Sequence, residues 1–532
     1  MDADKNKSID LLLIGVNDID DEGHQAPPVG IALLKAIVQS HGYRVKTIDG
    51  AVNPLTTPHL ITLLDTYHPK VIGLSATAYY VDSLKQIIRT IRSISIEIPI
   101  VVGGYCSLIS KLLQIIGADV VCLGDGDEIF PELMEFYLSP QKNHDKTLAS
   151  IRGIEFRVKD PITLAEQFIK TSPRPLLHDL SNLPFPDYSD FNFSEYQKSK
   201  WLPFYAQRGC YNHCTFCDII PFYGEQRIRS MNPQRVIDFL IYGKQTLGFS
   251  LFNFTDDDFL SSQSFLSGLA DLLEQSSQLN DIKISFQTRA VDVIRFRLLL
   301  LRMKQWIFTI ELGIESWVDS QLQRFQKNTN SSQNHDALRI LRDLDIPVLN
   351  YYLFLDDKMT IEELRSNVHT VLNLPPVLVQ GFQAPLPELI VNYEYSTLCD
   401  LTGNSTVEKI PFLDVFDYVL EQTSDIKKAI FLYKSLKKSI EEMNCSDKKS
   451  SESACELILG LGRAVFPLTE NLCRERLTLA LKFSEDTYNG KIKFDRLHSK
   501  KMDKLLKPYM IKLSNLLASF QHLGVSFDEM ND

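Results

Sequence analysis

Three cysteines crowd one short stretch. In "RGCYNHCTFC" (residues 208–217), Cys210, Cys214 and Cys217 are separated by three residues and then by two. Thiolates at such spacing hold metal. A structural zinc wants four ligands, usually as separated pairs, whereas this loop has three and no second knuckle; His213 adjoins Cys214 in a tight loop and would have difficulty reaching the same ion. Three thiolates suit a cubane iron–sulfur cluster with one iron left unligated by protein, an open position where a substrate or cofactor can bind. The chain has 9 cysteines in all. An odd number scattered over a long chain fits free thiols and metal ligands in a reducing compartment, the cytoplasm, rather than a disulfide framework. Cys399, Cys445, Cys455 and Cys473 match no compact ligand motif and read as buried hydrophobes, not an auxiliary cluster.

The elements that must position this loop follow from the periodicity around it. The loop succeeds a strand, "LPFYAQRG", that opens a βα series: "NPQRVIDFLIYGKQTLG" helix, "LFNFTDDD" strand, "SFLSGLADLLEQSS" helix, "IKISFQTR" strand, "VDVIRFRLLLLRM" helix. "WIFTIELGIES", "IPVLNYYLFL" and "VLVQGFQAPL" continue it, separated by the helices "HDALRILRDLD" and "TIEELRSNVHTVLNL". Six strands with polar residues at their carboxyl ends predict an open or partial (β/α)6 barrel over 201–395, its site on that face. Upstream, five short apolar strands alternate with helices between residues 9 and 135, from "IDLLLIGV" to "ADVVCLG". Parallel pairs need crossover helices, so residues 1–140 are expected to form a doubly wound, Rossmann-like α/β sheet with ligands outside the strands' carboxyl ends. The loops there, "NDIDDEGHQAPP", "DGA", "SATAYY", "GGYCS" and "GDGDE", are rich in small residues that let backbone approach a large flat or phosphate-bearing ligand.

Residues 141–200 are proline-rich and read as a connector with a strand pair around "IRGIEFRVKD". Residues 396–532 turn helical and charged and carry no chemical motif, which fits a cap or a packing domain. At 532 residues the chain exceeds what a single core supports. Its net charge of −11 exerts no general pull toward nucleic acid. The apolar run Ile9 to Val16 is too short for a signal segment or a spanning helix, so no membrane partner is expected.

The cysteine loop, with Phe216 before its last cysteine and a strand before its first, resembles the radical S-adenosylmethionine superfamily. "FNFTDDDF" is similar to that family's second-strand F-x-D-D-x-F, "GIES" at 313–316 to its fourth-strand G-x-E-S, and Lys327 sits where a lysine often follows that strand. The resemblance spans roughly residues 200–390 and departs from the pattern at "LFLDDKMT" and "APLPEL". In the family the open iron is chelated by the amino and carboxylate groups of S-adenosylmethionine, whose reductive cleavage gives a 5′-deoxyadenosyl radical. The resemblance thus implies Cys210, Cys214 and Cys217 as ligands of a 4Fe-4S cluster, with Phe216 beside the S-adenosylmethionine. It implies Asp256 and Asp257 for the methionine ammonium, Arg289 for the carboxylate, and Glu315 and Ser316 for the ribose or methionine end.

"PPVGIALLKAIVQSHGYRVKTIDG", "VIGLSATAYYVDSL", "IVVGGY" and "GDGDE", in this order, resemble the cobalamin-binding domain that precedes the radical module in one large class of these enzymes. The implied cobalamin contacts are Asn17, Asp49, Ser75, Thr77, Gly103, Gly104, Tyr105, Gly124, Gly126 and Glu128. The chain lacks the D-x-H-x-x-G loop, and "EGHQAP" ends in proline, so His24 is expected to be a loop histidine and not a cobalt ligand. The class implies an enzyme fed by an electron donor such as flavodoxin or ferredoxin. It would be a cobalamin-dependent methyltransferase acting on a small molecule or peptide, in natural-product biosynthesis; the alternative is a non-methylating member that cyclises, contracts or rearranges. The cofactors carry the chemistry, and no side chain is expected to be catalytic in its own right. A methylthiotransferase would carry three cysteines in the N-terminal domain, where this chain has only Cys106 and Cys122. A corrinoid-binding sensor would have no use for the intact cysteine loop.

Overall fold

The computed structural model describes residues 8–16, 26–138, 147–159, 165–196, 200–224, 227–353 and 358–374, with Asp356 and scattered positions between 378 and 489. Asn17, His24, Cys399, Cys445, Cys455, Cys473 and nearly all of the helical segment expected at 396–532 lie outside the described residues. One compact unit draws on Met1–Thr288 and Phe296–Phe308, a second on Arg289–Arg295 and Thr309–Asp400.

In the first unit β1 (Leu11–Gly15) is buried at every position, the mark of a parallel strand covered on both faces. Then come α1 (Val29–Ser40), β2 (Val45–Asp49), α2 (Thr57–Tyr67), β3 (Val71–Ser75), α3 (Val81–Ile94), β4 (Ile100–Gly103), α4 (Leu112–Ile116), β5 (Val120–Cys122) and α5 (Ile129–Leu138). α3 shows why these segments wind: Val81, Leu84, Ile87, Ile88 and Ile91 recur at helical spacing and are the residues it buries. The five strands are parallel in the order β2-β1-β3-β4-β5, the doubly wound sheet that the alternation predicts. Its strand order reverses at β1 and β3, and the loops after β3, β4 and β5 share the carboxyl edge. The strand pair expected in the connector is present as β6 (Ile154–Lys159) and β7 (Glu166–Lys170), and it extends this same sheet antiparallel to β5.

The connector then binds both neighbours within this unit. Buried Lys35 on α1 donates to Ser189 and pairs with Asp187 at 3.1 Å and Asp190 at 2.9 Å, while Asp190 also takes Lys46 and the Thr47 N–H. Tyr188 donates to Pro203 O, and Phe185 packs between Phe239 and Tyr242. The chain enters β8 (Trp201–Phe204) and β9 (Gln207–Arg208), then α6 (Ile219–Tyr223), β10 (Arg229–Ser230), α7 (Pro233–Gln245), β11 (Leu251–Phe254), α8 (Gln263–Gln275) and β12 (Lys283–Arg289). β8, β11 and β12 are parallel, and the register Phe204↔Phe254↔Phe286 levels their carboxyl ends. α7 starts where Asn232 caps Gln234 N–H ahead of Pro233, as the sequence signals.

The chain continues through α9 (Ala290–Arg295), α10 (Arg297–Met303), β13 (Ile307–Glu315), α11 (Asp319–Arg324), α12 (Ser331–Asp343), β14 (Val348–Tyr352) and α13 (Ile361–Asn373). β13 and β14 are parallel with a bulge between Gly313 and Glu315, and α12 and α13 each open on a capping box, Asn330 with Gln333 and Thr360 with Glu363. Of the sixth strand expected at 377–386, the described residues form a two-residue antiparallel ladder between β15 (Leu378–Val379) and β16 (Phe382–Gln383).

Burial raises the Asp190 carboxyl, but hydrogen bonds from Lys46, Lys35 and Thr47 outweigh it and bring it down to about 2. A depressed carboxylate stabilises the fold above its ordinary range and ceases to do so as pH falls through the folded value. Lys35→Met should therefore lower stability near neutral pH by about 1–3 kcal/mol, because it removes a charged partner from Asp187 and from Asp190, the latter keeping Lys46 and the Thr47 N–H. The urea midpoint of the variant should converge on that of the wild type as pH approaches 2.

Candidate active site

β9 and β10 pair Arg208 with Arg229 and frame the mouth of the cysteine loop. Gly209 follows with φ +89°, and a Cβ there would lie 2.0 Å from Arg227 O, so only glycine lets the chain leave β9 at this angle. Its N–H donates to Asp257 Oδ2 at 2.6 Å. Within the loop Asn212 N–H points at Cys210 Sγ (3.4 Å), Asn212 Nδ2 at Cys214 Sγ (2.8 Å), and Cys217 N–H bonds Cys214 O. The three thiols are half-buried and outside any disulfide, Phe216 is half-buried beside them, and His213 is exposed. Among the described residues no three His, Cys, Asp or Glu side chains converge on one metal position. Thiols set on one loop can each ligate a separate iron of a cluster. The loop therefore fits the three-cysteine edge of a cluster.

The acidic run after β11 is divided among three tasks. Asp256 is 1% exposed; its Oδ2 accepts Ala206 N–H, its Oδ1 has no partner, and burial pushes its carboxyl well above the usual range. Burial also pushes Asp257 up, to about 6, against the pull of Gly209 N–H and Arg208. Asp258 accepts the Thr288 hydroxyl at 2.8 Å and ties β11 to β12. An orphaned buried acceptor beside the cysteine loop fits a cationic donor such as the ammonium of S-adenosylmethionine.

In the second unit Glu315, at the bulged end of β13, adopts φ +62°, a conformation non-glycine residues rarely take and one that clusters at functional sites. Its Oε1 accepts Lys327 Nζ at 2.8 Å, and both side chains are buried. Gly313 makes this possible, since a Cβ there would lie 2.7 Å from Glu315 Oε1 and 2.9 Å from Lys327 Nζ. Arg289 donates from Nη2 to Lys327 O at 2.6 Å, which joins the three expected side chains into one buried group. Ser316 is fully buried with its hydroxyl engaged by Asn367 Oδ1 and Val318 N–H, a task of holding the strand end.

The remaining expected residues line the carboxyl edge of the first sheet. Ser75 and Gly103 end β3 and β4, and Thr77, Gly104, Tyr105, Gly124 and Gly126 sit in the loops after β3, β4 and β5. A Cβ on Gly104 would lie 2.5 Å from Ala76 O, and buried Thr77 Oγ1 lacks a partner; this glycine-lined edge with an orphaned hydroxyl fits a large cofactor such as cobalamin. Asp49 instead accepts the Tyr196 hydroxyl at 2.9 Å and Ala51 N–H, and Glu128 is exposed beside Arg174.

Sequence reasoning missed a buried network in the same unit. Arg208 Nη1 reaches Asp125 Oδ1 at 2.9 Å and Asp127 Oδ2 at 2.5 Å; Arg229 Nη1 reaches Asp125 Oδ2 at 2.5 Å. The guanidinium groups lie over the rings of Tyr205 and Tyr223, and the Tyr105 ring packs at a tilt of 34° against Phe222 with centroids 4.4 Å apart. The available signal was charge: "GDGDE" carries acids, and "QRG" and "RIRS" carry arginines.

Residues 20–134 match the B12 binding domain and residues 204–368 the Radical SAM superfamily. With both in this order, the chain belongs to the radical S-adenosylmethionine enzymes that carry a cobalamin-binding domain, and its cofactors are a 4Fe-4S cluster, S-adenosylmethionine and cobalamin. An uncharacterised methyltransferase of Pyrococcus horikoshii is 23% identical over 65% of this chain and 73% of its own length. The anaerobic magnesium-protoporphyrin IX monomethyl ester cyclase of Cereibacter sphaeroides is 24% identical over 66% of this chain; the match spans 57% of the cyclase. The solved structure of the cobalamin-dependent S-adenosylmethionine radical enzyme OxsB, with aqua-cobalamin and S-adenosylmethionine bound, shares the fold with a TM-score of 0.63 at 18% identity, covering 96% of this chain and 84% of that one. Among the described residues no helix is long and apolar enough to cross a membrane.

The Glu315–Lys327 pair yields a test. Lys327→Met should strand a buried carboxylate at a cost of about 3 kcal/mol, whereas Lys327→Arg should retain much of the stability. Differential scanning calorimetry of the two variants beside the wild type checks this.

Proposed function

We propose that this chain is a methyltransferase that moves the methyl group of S-adenosylmethionine, by way of cobalamin, to an unactivated centre of a small-molecule or peptide substrate. The observation that carries the reading is the packing of the cobalamin-side loops on the segment after the cysteine loop, Tyr105 against Phe222, inside one compact unit. A methyl carrier and a radical source are useful together when both must face one substrate carbon. The bound cofactors supply the methyl group and, after one-electron cleavage of S-adenosylmethionine, the hydrogen-abstracting radical.

The chain's own residues bind and orient. Cys210, Cys214 and Cys217 hold the cluster, with Phe216 against the bound S-adenosylmethionine. Asp256 and Asp257 receive its ammonium, Arg289 its carboxylate, and Glu315, held by Lys327, its ribose or methionine end. Ser316 supports Glu315 through Asn367. Asn17, Ser75, Thr77, Gly103, Gly104, Tyr105, Gly124 and Gly126 border the cobalamin, and Asp49 and Glu128 brace that border through Tyr196 and Arg174. The electron comes from a flavodoxin or ferredoxin in the cytoplasm, a setting supported by the free thiols Cys106 and Cys122. Similarity to a cyclase favours a second reading, cyclisation or rearrangement without methyl transfer.

Anaerobically reconstituted protein given a low-potential reductant and methyl-labelled S-adenosylmethionine should release both S-adenosylhomocysteine and 5′-deoxyadenosine. Candidate metabolites should include one that gains the label and one CH2 in mass. Changing Cys210, Cys214 and Cys217 together to alanine should abolish 5′-deoxyadenosine and bound iron while hydroxocobalamin still binds. An altered but unmethylated product formed with 5′-deoxyadenosine would decide for the second reading.

A further inference from the structure

Asp125 and Asp127 belong to the loop after β5, on the cobalamin side, while Arg208 and Arg229 belong to the two strands that frame the cysteine loop. Their side chains are 16%, 9%, 7% and 1% exposed. Ions this far out of water persist only while their partners stay in place. Arg208 engages both aspartates, and Asp125 engages both arginines, so the four side chains form one connected series of contacts. Arg208 is also two residues from Cys210, and Gly209 between them is held by Asp257. A second link runs parallel: Tyr105, from the loop after β4, packs its ring against Phe222 five residues beyond Cys217, and a Cβ added at Gly124 would lie 3.4 Å from Phe222 O. Two loops on the cobalamin side are thus joined to both flanks of the cysteine loop.

We infer that this network couples the two cofactor sites energetically, so that cobalamin binds more tightly when the cluster is in place and the cluster is retained better when cobalamin is bound. Arg208 and Arg229 are positioning residues in this scheme. Each cofactor orders one side of the network, the network orders the other, and the second cofactor then meets a loop whose ordering has already been accomplished. Thermodynamic linkage requires the two effects to be equal. The inference rests on the cluster and cobalamin assignments above and goes beyond them, because two sites on one chain have no need to communicate.

The test is equilibrium dialysis of hydroxocobalamin against the full chain, with and without the reconstituted cluster, cobalt being measured by elemental analysis. The dissociation constant should tighten by about fivefold or more with the cluster present, the lower end of ordinary coupling between sites. Iron retained against a fixed concentration of chelator should rise on adding cobalamin. In D127N the ratio of the two cobalamin constants should fall toward one, while the cluster-free constant stays within about twofold of wild type; D127E should restore part of the ratio. A ratio of one in the wild type overturns the coupling, as does an unchanged ratio in folded D127N. If D127N does not fold, the wild-type ratio and the iron measurement decide by themselves. Failure to bind hydroxocobalamin in either state would overturn the cobalamin assignment and the coupling with it, an outcome distinct from binding with a ratio of one.

Discussion

Two arginines out of water constrain the first unit more than any other feature. Arg229 is 1% exposed and Arg208 6%, and the desolvation of such groups is tolerable only opposite carboxylates at hydrogen-bond distance. Those carboxylates come from another sheet about 80 to 100 residues earlier, so the sheet that begins at Leu11 and the strand that begins at Trp201 cannot take independent positions. The connector serves the same end with different chemistry. Lys35 reaches Asp187 and Asp190, Tyr196 reaches Asp49, and the rings of Phe185 and Tyr188 bury against the start of the barrel. A proline-rich stretch that reads as a spacer is in fact a strap with a charged side and an aromatic side.

In the second unit one buried ion pair again governs the local geometry, but here the backbone bears part of the load. Glu315 sits at positive φ beside a bulge in β13, a combination that re-aims a side chain at a strand end. It is held there by Lys327 and by the absence of a side chain at Gly313. Glycine, glutamate, serine and lysine at 313, 315, 316 and 327 therefore form one device. Glycine makes room, lysine neutralises the glutamate, and serine fixes the following turn through Asn367.

The alternation of apolar runs and helical periods made the parallel sheet legible, and the spacing of Cys210, Cys214 and Cys217 marked the loop proposed to hold the cluster, because both signals are local in sequence. The contacts that bind these parts together were not. Nothing in "GDGDE" tells that Asp125 and Asp127 face arginines on β9 and β10, and glycines rather than aspartates were singled out there because small residues are what a ligand-facing loop advertises. Asp49 and Ser316 carry the converse lesson. Each is polar at a strand's carboxyl end, as a ligand contact would be, and each is also engaged by a protein partner, Tyr196 in one case and Asn367 in the other. A polar residue at such a position announces that something must satisfy it, and only the fold decides whether that is a ligand or the chain itself.

The same division applies to cysteine. Cys106 and Cys122 lie at the carboxyl edge of the first sheet, near enough to the cofactor loops to suggest reactivity, but burial pushes both thiols up to about 12. A thiol held protonated neither ligates iron nor attacks an electrophile, because both require the thiolate. Cys210, Cys214 and Cys217 instead sit half-exposed on a loop that points an amide and a side-chain N–H at sulfur. Residue type is common to all five described cysteines, and what separates the two sets is their burial. Gly209, at positive φ and held by Asp257, sets where the loop leaves β9.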